Sequence, residues 1–325
     1  MLPFAYWRAE TEDAARAMAA TRPGAVFIAG GTDLMQLCKS GVCAPGLVID
    51  ISRLPLAAIE SSDDGIMIGA LACMSDVAEH PAVRSDYPAI AEALKASASP
   101  QIRNAATIGG NLMQRSRCLY FRNETLPCNK RLKGSGCGAL AGENRPHAIF
   151  GASAHCAATH ASDLAVALVA FDARLRLRGP DGERREALQE FYLLPGDTPE
   201  RETQLSPGEM IVAVEVPRSA CRSRYLKLRD RASFEFAVLS VAVALEVESG
   251  QIRTARIAAG GVGTKPWRLR ACEMALIGER PGEAAFRQAA ARAADGARPL
   301  SRNGFKLELL RRAVLRALME LGDAA

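Results

Sequence analysis

The sequence predicts an α+β protein of two domains. Three observations carry this. Helix and strand alternate through the first fifty residues, a long apolar strand closes at Pro217, and three strand-like runs beyond it precede a block of helices. In order, Thr11 can cap a helix over residues 12–21 that Pro23-Gly24 stops. AVFIA (25–29) and GLVIDI (46–51) read as short buried strands, with a short helix in GGTDLMQLCKSG between them. GIMIGA (65–70) is a further strand. Ser75 is expected to cap a helix that Pro81 interrupts, and 82–98 continues helical. Residues 162–171 have helical character, and ARLRLRG (173–179) alternates as a half-buried strand does.

MIVAVEV (210–216) ends at Pro217, where the domain boundary is placed. YLKLRD, AVLSVAVALEVE (237–248) and IRTARIAAGG (252–261) follow, the last two joined at Ser249-Gly250 by a hairpin-like turn. Helices are expected over 266–277, over 283–294 and after Asn303-Gly304, where Leu307, Leu310, Val314 and Leu318 share one face. The last hundred residues therefore read as an antiparallel sheet backed by helices.

Composition narrows the function. The 325 residues are 49% apolar and 24% charged, ordinary for a globular protein with well-formed cores. A net charge of +5 comes from scattered arginines, and the five Tyr do not interleave with basic runs, so no nucleic-acid footprint is present. No apolar run reaches the length of about 18 residues that a membrane span needs. MLPFAYWRAE shows no export pattern, so the nine cysteines are expected to be reduced thiols in a cytoplasmic setting.

Two glycine-rich loops stand out. Ala29-Gly30-Gly31-Thr32-Asp33-Leu34 follows a strand and opens a helix. Glycines there let successive amides point one way and cradle an anion such as a pyrophosphate. The plainer alternative is a tight turn with Thr32 or Asp33 as helix cap. Thr107-Ile108-Gly109-Gly110-Asn111 is a second such loop, where paired glycines allow close approach of a ligand or simply a buried turn. Neither loop carries the Gly-x-Gly-x-x-Gly or P-loop pattern.

Four of the nine cysteines, Cys118, Cys128, Cys137 and Cys156, are spaced Cys-x9-Cys-x8-Cys-x18-Cys. The absence of a Cys-x-x-Cys pair sets them apart from zinc knuckles and from the tight ferredoxin run. Gly134, Gly136 and Gly138 around Cys137, and Pro127 before Cys128, allow the backbone to fold thiols inward. Four thiolates suit zinc and a [4Fe–4S] cluster equally. His147, His155 and His160 read as hydrogen-bonded loop histidines. Arg115, Arg117, Arg122, Lys130, Arg131 and Lys133 make this stretch basic, either to offset a cluster's charge or as a solvated face.

Taken together, AGGTDLM (29–35), IRNAATIGGNL (102–112), ASDL (161–164), GEMIVAVEVP (208–217), KLRDR (227–231) and GGVGTKPWR (260–268) resemble the FAD-binding medium subunit of the molybdenum hydroxylases. That group comprises the xanthine dehydrogenases, aldehyde oxidoreductases and carbon monoxide dehydrogenases, and the resemblance covers nearly the whole chain. It implies a two-lobed FAD domain of the vanillyl-alcohol-oxidase (PCMH) type over residues 1–217, with lobes of about 1–55 and 56–217. A C-terminal α+β domain would occupy 218–325. It further implies that the FAD pyrophosphate rests on Ala29, Gly30, Gly31, Thr32, Asp33 and Leu34 and on the loop of Thr107, Gly109, Gly110 and Asn111. Thr107 would donate its hydroxyl to the cofactor, Asp163 would hold the adenosine half, Lys227 would lie near the isoalloxazine and Ile211 would pack on the ring. Without the resemblance, Asp163 reads as a helix cap, Lys227 as a surface charge and Ile211 as a core aliphatic.

Asn111 and Asp163 lie 52 positions apart, where most of the group has about a dozen. The extra segment, about 113–160, resembles the insertion of the heterotrimeric aldehyde oxidoreductase branch, which carries a [4Fe–4S] cluster. The resemblance implies Cys118, Cys128, Cys137 and Cys156 as its ligands. Ala161 stands where that branch usually has Pro. The implied partners are a large molybdenum-cofactor subunit, a small subunit with two [2Fe–2S] clusters and an external electron acceptor. The expected role is electron transfer with no acid–base catalytic residue in this chain. A xanthine or N-heterocycle dehydrogenase and 4-hydroxybenzoyl-CoA reductase are the alternatives within the group. A zinc-stabilised flavin module and a stand-alone flavin oxidase are the alternatives outside it. Co-export of the folded chain with a signal-bearing partner is the alternative to a cytoplasmic location.

Overall fold

The computed structural model describes residues 1–322. Strands β1 (Ala5–Arg8), β2 (Ala25–Ile28) and β3 (Leu47–Asp50) form a parallel sheet in the order β1-β3-β2. The helix Glu12–Thr21 crosses between β1 and β2, and the Thr11 hydroxyl accepts the Ala14 amide at 3.2 Å. β1 escapes the sequence pattern because it is short and three of its four residues are exposed. It is fixed from outside, where the Tyr6 hydroxyl and Arg8 Nε donate to Asp50 at 2.5 and 3.0 Å.

The second sheet has five antiparallel strands, β4 (Ile59–Ser62), β5 (Gly65–Gly69), β6 (Arg174–Gly179), β7 (Gly182–Ala187) and β8 (Met210–Pro217), in the order β4-β5-β8-β6-β7. Central strand β8 serves two cores. Ile211, Val214 and Val216 face the large cluster that includes Ile68, Ile90, Leu168 and Phe191. Met210 and Val212 face the smaller one with Ile49, Leu54 and Ala15. A continuous apolar run is what a strand buried on both faces requires.

Two helix expectations need correction. Ser75 caps nothing: the helix Met74–Glu79 starts after Cys73 without a side-chain cap. Pro81 does not break a helix but opens the next, Pro81–Asp86, at a position where its missing N–H costs nothing. The helix Pro88–Ala96 follows in the same way.

The C-terminal sheet contains β9 (Arg222–Leu228), β10 (Leu239–Glu248), β11 (Gln251–Gly260) and β12 (Trp267–Arg268), antiparallel in the order β12-β11-β10-β9. Ser249 and Gly250, at φ 52° and 78°, make the tight β10–β11 turn. Val241, Val243 and Leu245 face the helices, including Phe305–Gly322, whose Leu310, Val314 and Leu318 are fully buried. The opposite face shows Ala242, Ala244 and Ala258, small enough to admit the helix Asp163–Ala170. The helix expected over 266–277 starts only at Arg270, because Trp267 and Arg268 pair with Ala259 and Ala258 first.

Candidate functional site

The two glycine loops meet although 77 positions separate Gly30 from Thr107. A β-carbon at Gly30 would lie 1.9 Å from the Ala105 carbonyl oxygen, so only glycine lets the first loop pass the segment leading into the second. Gly31 sits at φ 66°, and the helix Leu34–Lys39 begins directly after. Among the described residues the amides of Gly30, Gly31, Thr32, Asp33 and Leu34 donate to no carbonyl or side chain. Five consecutive unclaimed N–H groups on a half-exposed loop are what a pyrophosphate needs.

The second loop is different. Ile108 and Gly109 donate to Ala72 and Ala70 at 3.0 and 2.8 Å, Gly110 to the Thr107 hydroxyl at 3.2 Å, and Asn111 to the Thr107 carbonyl at 2.8 Å. The amides of Ile108, Gly109, Gly110 and Asn111 are thus taken within the protein. What remains is the Thr107 hydroxyl hydrogen, since among the described residues that group accepts a bond and donates none. Gly110 is exposed, with Thr107 Oγ1 as the one atom a β-carbon there would approach. The Asn111 side chain is also occupied: its oxygen accepts from Ser162 at 2.5 Å and its nitrogen donates to Met74 Sδ at 3.4 Å. The two ends of the inserted segment are thereby clasped side by side.

Asp33 occupies the N-cap position of the helix Leu34–Lys39, but its carboxylate makes no capping bond. It accepts the Arg115 amide at 2.9 Å and the guanidinium groups of Arg117 and Arg122, each at 2.8 Å. The first turn of the insertion thus hangs from the first glycine loop.

Asp163 and Lys227 are a buried ion pair at 2.7 Å, with side chains 6% and 4% exposed. Tyr225 and Ser97 complete the carboxylate's shell at 2.5 and 3.0 Å, and Lys227 also donates to the Ala96 carbonyl at 3.0 Å. Groups in direct contact cannot serve opposite ends of an extended dinucleotide. Asp163 and Lys227 therefore occupy one shared location, and a part of the cofactor that lies beside one lies beside both. The plainer readings of the two fail. Ser162, not Asp163, caps the helix Asp163–Ala170, and Lys227 is no surface charge. Ile211 is buried in the main core opposite Leu177, where a core aliphatic is expected.

In the insertion, positive-φ turns at Gly134 and Gly136 fold the chain back so that Cys128 and Cys137 become antiparallel bridge partners. Cys128 lies near enough to both Cys118 and Cys156 to raise their pKa values, and Cys137 acts likewise on Cys156. Burial is the larger cause and carries Cys118 to about 12, while the amides of Phe121 and Tyr120 pull it back toward the thiolate. The Ala158 amide donates to Cys156 Sγ at 3.4 Å. The four sulfurs are thus gathered with amides turned toward two of them. No three Cys, His, Asp or Glu side chains among the described residues converge as a single ion's ligands must.

Of the basic residues of the insertion, Lys133 is exposed and without an ion-pair partner among the described residues, whereas Arg115, Arg117, Arg122, Lys130 and Arg131 are tied into the structure. Arg131 binds the carbonyls of Tyr120, Phe121, Glu124 and Leu126. Arg115 and Lys130 both reach Glu202.

That last pair borders a cavity of about 210 Å³ between the insertion and the loop 192–203, with Cys156, His160 and Tyr192 on its walls. His160 accepts the Ser162 amide on Nδ1 at 3.3 Å, which leaves Nε2 buried without a partner, and burial pushes the ring down to about 4. Sequence reading missed Glu202 and Tyr192, whose partners are remote in the chain. A smaller pocket of about 30 Å³ lies beside Asp163, closed by Arg117 stacked 4.5 Å from the Phe236 ring.

A row of free amides facing a second glycine loop in the N-terminal lobe, backed by an α+β domain, is the geometry of a protein that binds a phosphate-bearing cofactor. The chain belongs to the family described as the FAD binding domain in molybdopterin dehydrogenase, which matches residues 2–219, with the CO dehydrogenase flavoprotein C-terminal domain over 224–321. It is an FAD-binding medium subunit of the molybdenum hydroxylases, and hence part of an oxidoreductase. It is 44% identical over 323 residues, 98% of each chain, to the aldehyde oxidoreductase FAD-binding subunit PaoB of Escherichia coli K12. Identity is 27% over 279 residues to the glyceraldehyde dehydrogenase medium chain of Sulfolobus acidocaldarius, covering 85% of this chain and 82% of that one. A carbon monoxide dehydrogenase from Hydrogenophaga pseudoflava superposes with a TM-score of 0.77 at 27% identity over 98% of both chains. Quinoline 2-oxidoreductase from Pseudomonas putida 86 shares the fold, with a TM-score of 0.78 at 22% identity over 100% of this chain and 98% of that one.

Proposed function

We propose that the chain is the electron-transfer subunit of a molybdenum-dependent aldehyde oxidoreductase. It takes electrons from a small subunit with two [2Fe–2S] clusters, serves a large molybdenum-cofactor subunit that oxidises the aldehyde, and delivers the electrons to an external acceptor. The observation that carries this reading is the 44% identity, across nearly the whole chain, to a subunit named for aldehyde oxidation. The medium chain named for glyceraldehyde oxidation points the same way.

Within that reading, FAD supplies the passage between one- and two-electron chemistry, and the chain's own residues bind and orient it. The five amides from Gly30 to Leu34 hold the pyrophosphate, and Thr107 donates its free hydroxyl hydrogen. The neutralised Asp163–Lys227 pair, with the pocket under Arg117 and Phe236 beside it, offers a polar but uncharged wall. Cys118, Cys128, Cys137 and Cys156 hold a [4Fe–4S] cluster. The mutual proximity of the four thiols and the amides turned toward Cys118 and Cys156 support this. Nine cysteines, none of them paired among the described residues, support the reading that the chain folds in a reducing compartment such as the cytoplasm.

Iron, zinc and flavin content of the anaerobically purified protein tests the proposal, with electron paramagnetic resonance after dithionite reduction. Near four iron per FAD, and a reduced-cluster signal lost on Cys128→Ser, is the expected result. FAD without iron overturns the cluster and leaves the flavin assignment intact.

A further inference from the structure

We infer that His147 tunes the cluster, through an Nε2–H···S hydrogen bond to the ligand Cys118. The inference rests on the reading that the four thiols hold a [4Fe–4S] cluster. His147 Nε2 lies 3.2 Å from Cys118 Sγ. A free thiol could donate to the ring. A metal-bound sulfur has lost its proton and can only accept, so the contact requires the tautomer with hydrogen on Nε2. Nδ1 then carries only a lone pair, in keeping with its lack of any partner among the described residues.

The ring is also held from a distance. The His147 amide donates to the Asn144 carbonyl at 3.0 Å. Its own carbonyl accepts from Asn303 Nδ2 at 3.1 Å and from Lys306 Nζ at 3.0 Å. Lys306 is fully buried and also donates to the carbonyls of Pro146 and Gly261. Tyr120 lies on the other side, with ring centroids 6.0 Å apart. A histidine serving only as loop filler would not need its backbone fixed by two side chains at the start of the C-terminal helix.

Hydrogen bonds to cluster sulfurs stabilise the reduced, more negative state and so raise the reduction potential. His147 is thus a positioning and tuning residue that makes the cluster easier to reduce. The test is a potentiometric titration of the cluster signal in the purified complex. His147→Leu is expected to make reduction about tenfold less favourable, the loss of one charge-assisted bond, which is a midpoint about 59 mV lower for a one-electron couple. His147→Gln, which keeps an N–H donor, is expected to fall between the two. An unchanged midpoint at full iron content in His147→Leu overturns the inference. If that variant loses its iron, pulsed magnetic resonance on wild type labelled with ¹⁵N-histidine decides: a nitrogen coupling to the reduced cluster supports it, and no coupling overturns it. Wild type without iron removes the cluster reading and this inference with it, and the iron assay separates that failure from the others.

Discussion

Gly30 and Gly110 differ in what a methyl group would meet. At Gly30 it strikes the Ala105 carbonyl oxygen at 1.9 Å, backbone that cannot yield. Gly30→Ala is therefore expected to cost about 1–3 kcal/mol and to abolish FAD binding with it. At Gly110 the added carbon meets Thr107 Oγ1 at 3.0 Å and otherwise open space. Gly110→Ala should hold stability within about 1 kcal/mol while lowering bound flavin, because it obstructs the ligand's side of the loop. Flavin absorbance per protein and urea titrations distinguish the two, and equal loss of stability in both would refute the assignment. Lys227→Met leaves the Asp163 carboxylate buried with only Tyr225 and Ser97, and a loss of about 3–5 kcal/mol is expected in the same titrations. The glycines were legible in the sequence because a turn's backbone demands are local. The partners of Asp33 and Lys227 were not, because they lie 64 to 131 positions away.

Among elements, the insertion decides the local architecture. Its ends meet at the Asn111–Ser162 clasp, its first turn hangs on Asp33, its middle reaches Glu202, and Ile149 and Phe150 join the C-terminal core. Asp33→Ala removes the acceptor of three donors. Stability should fall by about 1–3 kcal/mol, and amide exchange should quicken selectively over 115–122. Hydrogen exchange read by mass spectrometry checks this, and uniform protection would show that the carboxylate does not hold the insertion. Long amphipathic elements such as Phe305–Gly322 were visible through their periodicity. β1 and β4 were not, since four mostly exposed residues carry no alternation and are fixed only by the strands beside them.

For the whole molecule, the buried neutral His160 predicts an acid limit. Its ring titrates near 4 in the fold, because burial disfavours the charged form, against 6.5 when unfolded. Between those values the unfolded chain binds more protons, so stability is intact above pH 6.5 and declines as pH falls toward 4. The loss from this group is on the order of 3 kcal/mol by pH 4. His160→Gln should flatten the dependence of melting temperature on pH across that window. A slope equal to wild type would show that the ring is solvated. No local pattern announces this property, which arises where the insertion, the loop 192–203 and β11's exit close over one side chain.

Cys128 and Cys156 expose only 6% and 5% of their surface, so the folded chain itself closes over both residues as a lid. For a chain that carries the proposed cluster, this sets an order of manufacture. A bulky inorganic body cannot be threaded past such a lid, so delivery precedes the last folding step, and a protein that closes empty stays empty. Reconstitution of folded apoprotein with iron and sulfide should accordingly be slow and should quicken in mild urea. Rapid loading in buffer alone would mean that the lid opens freely.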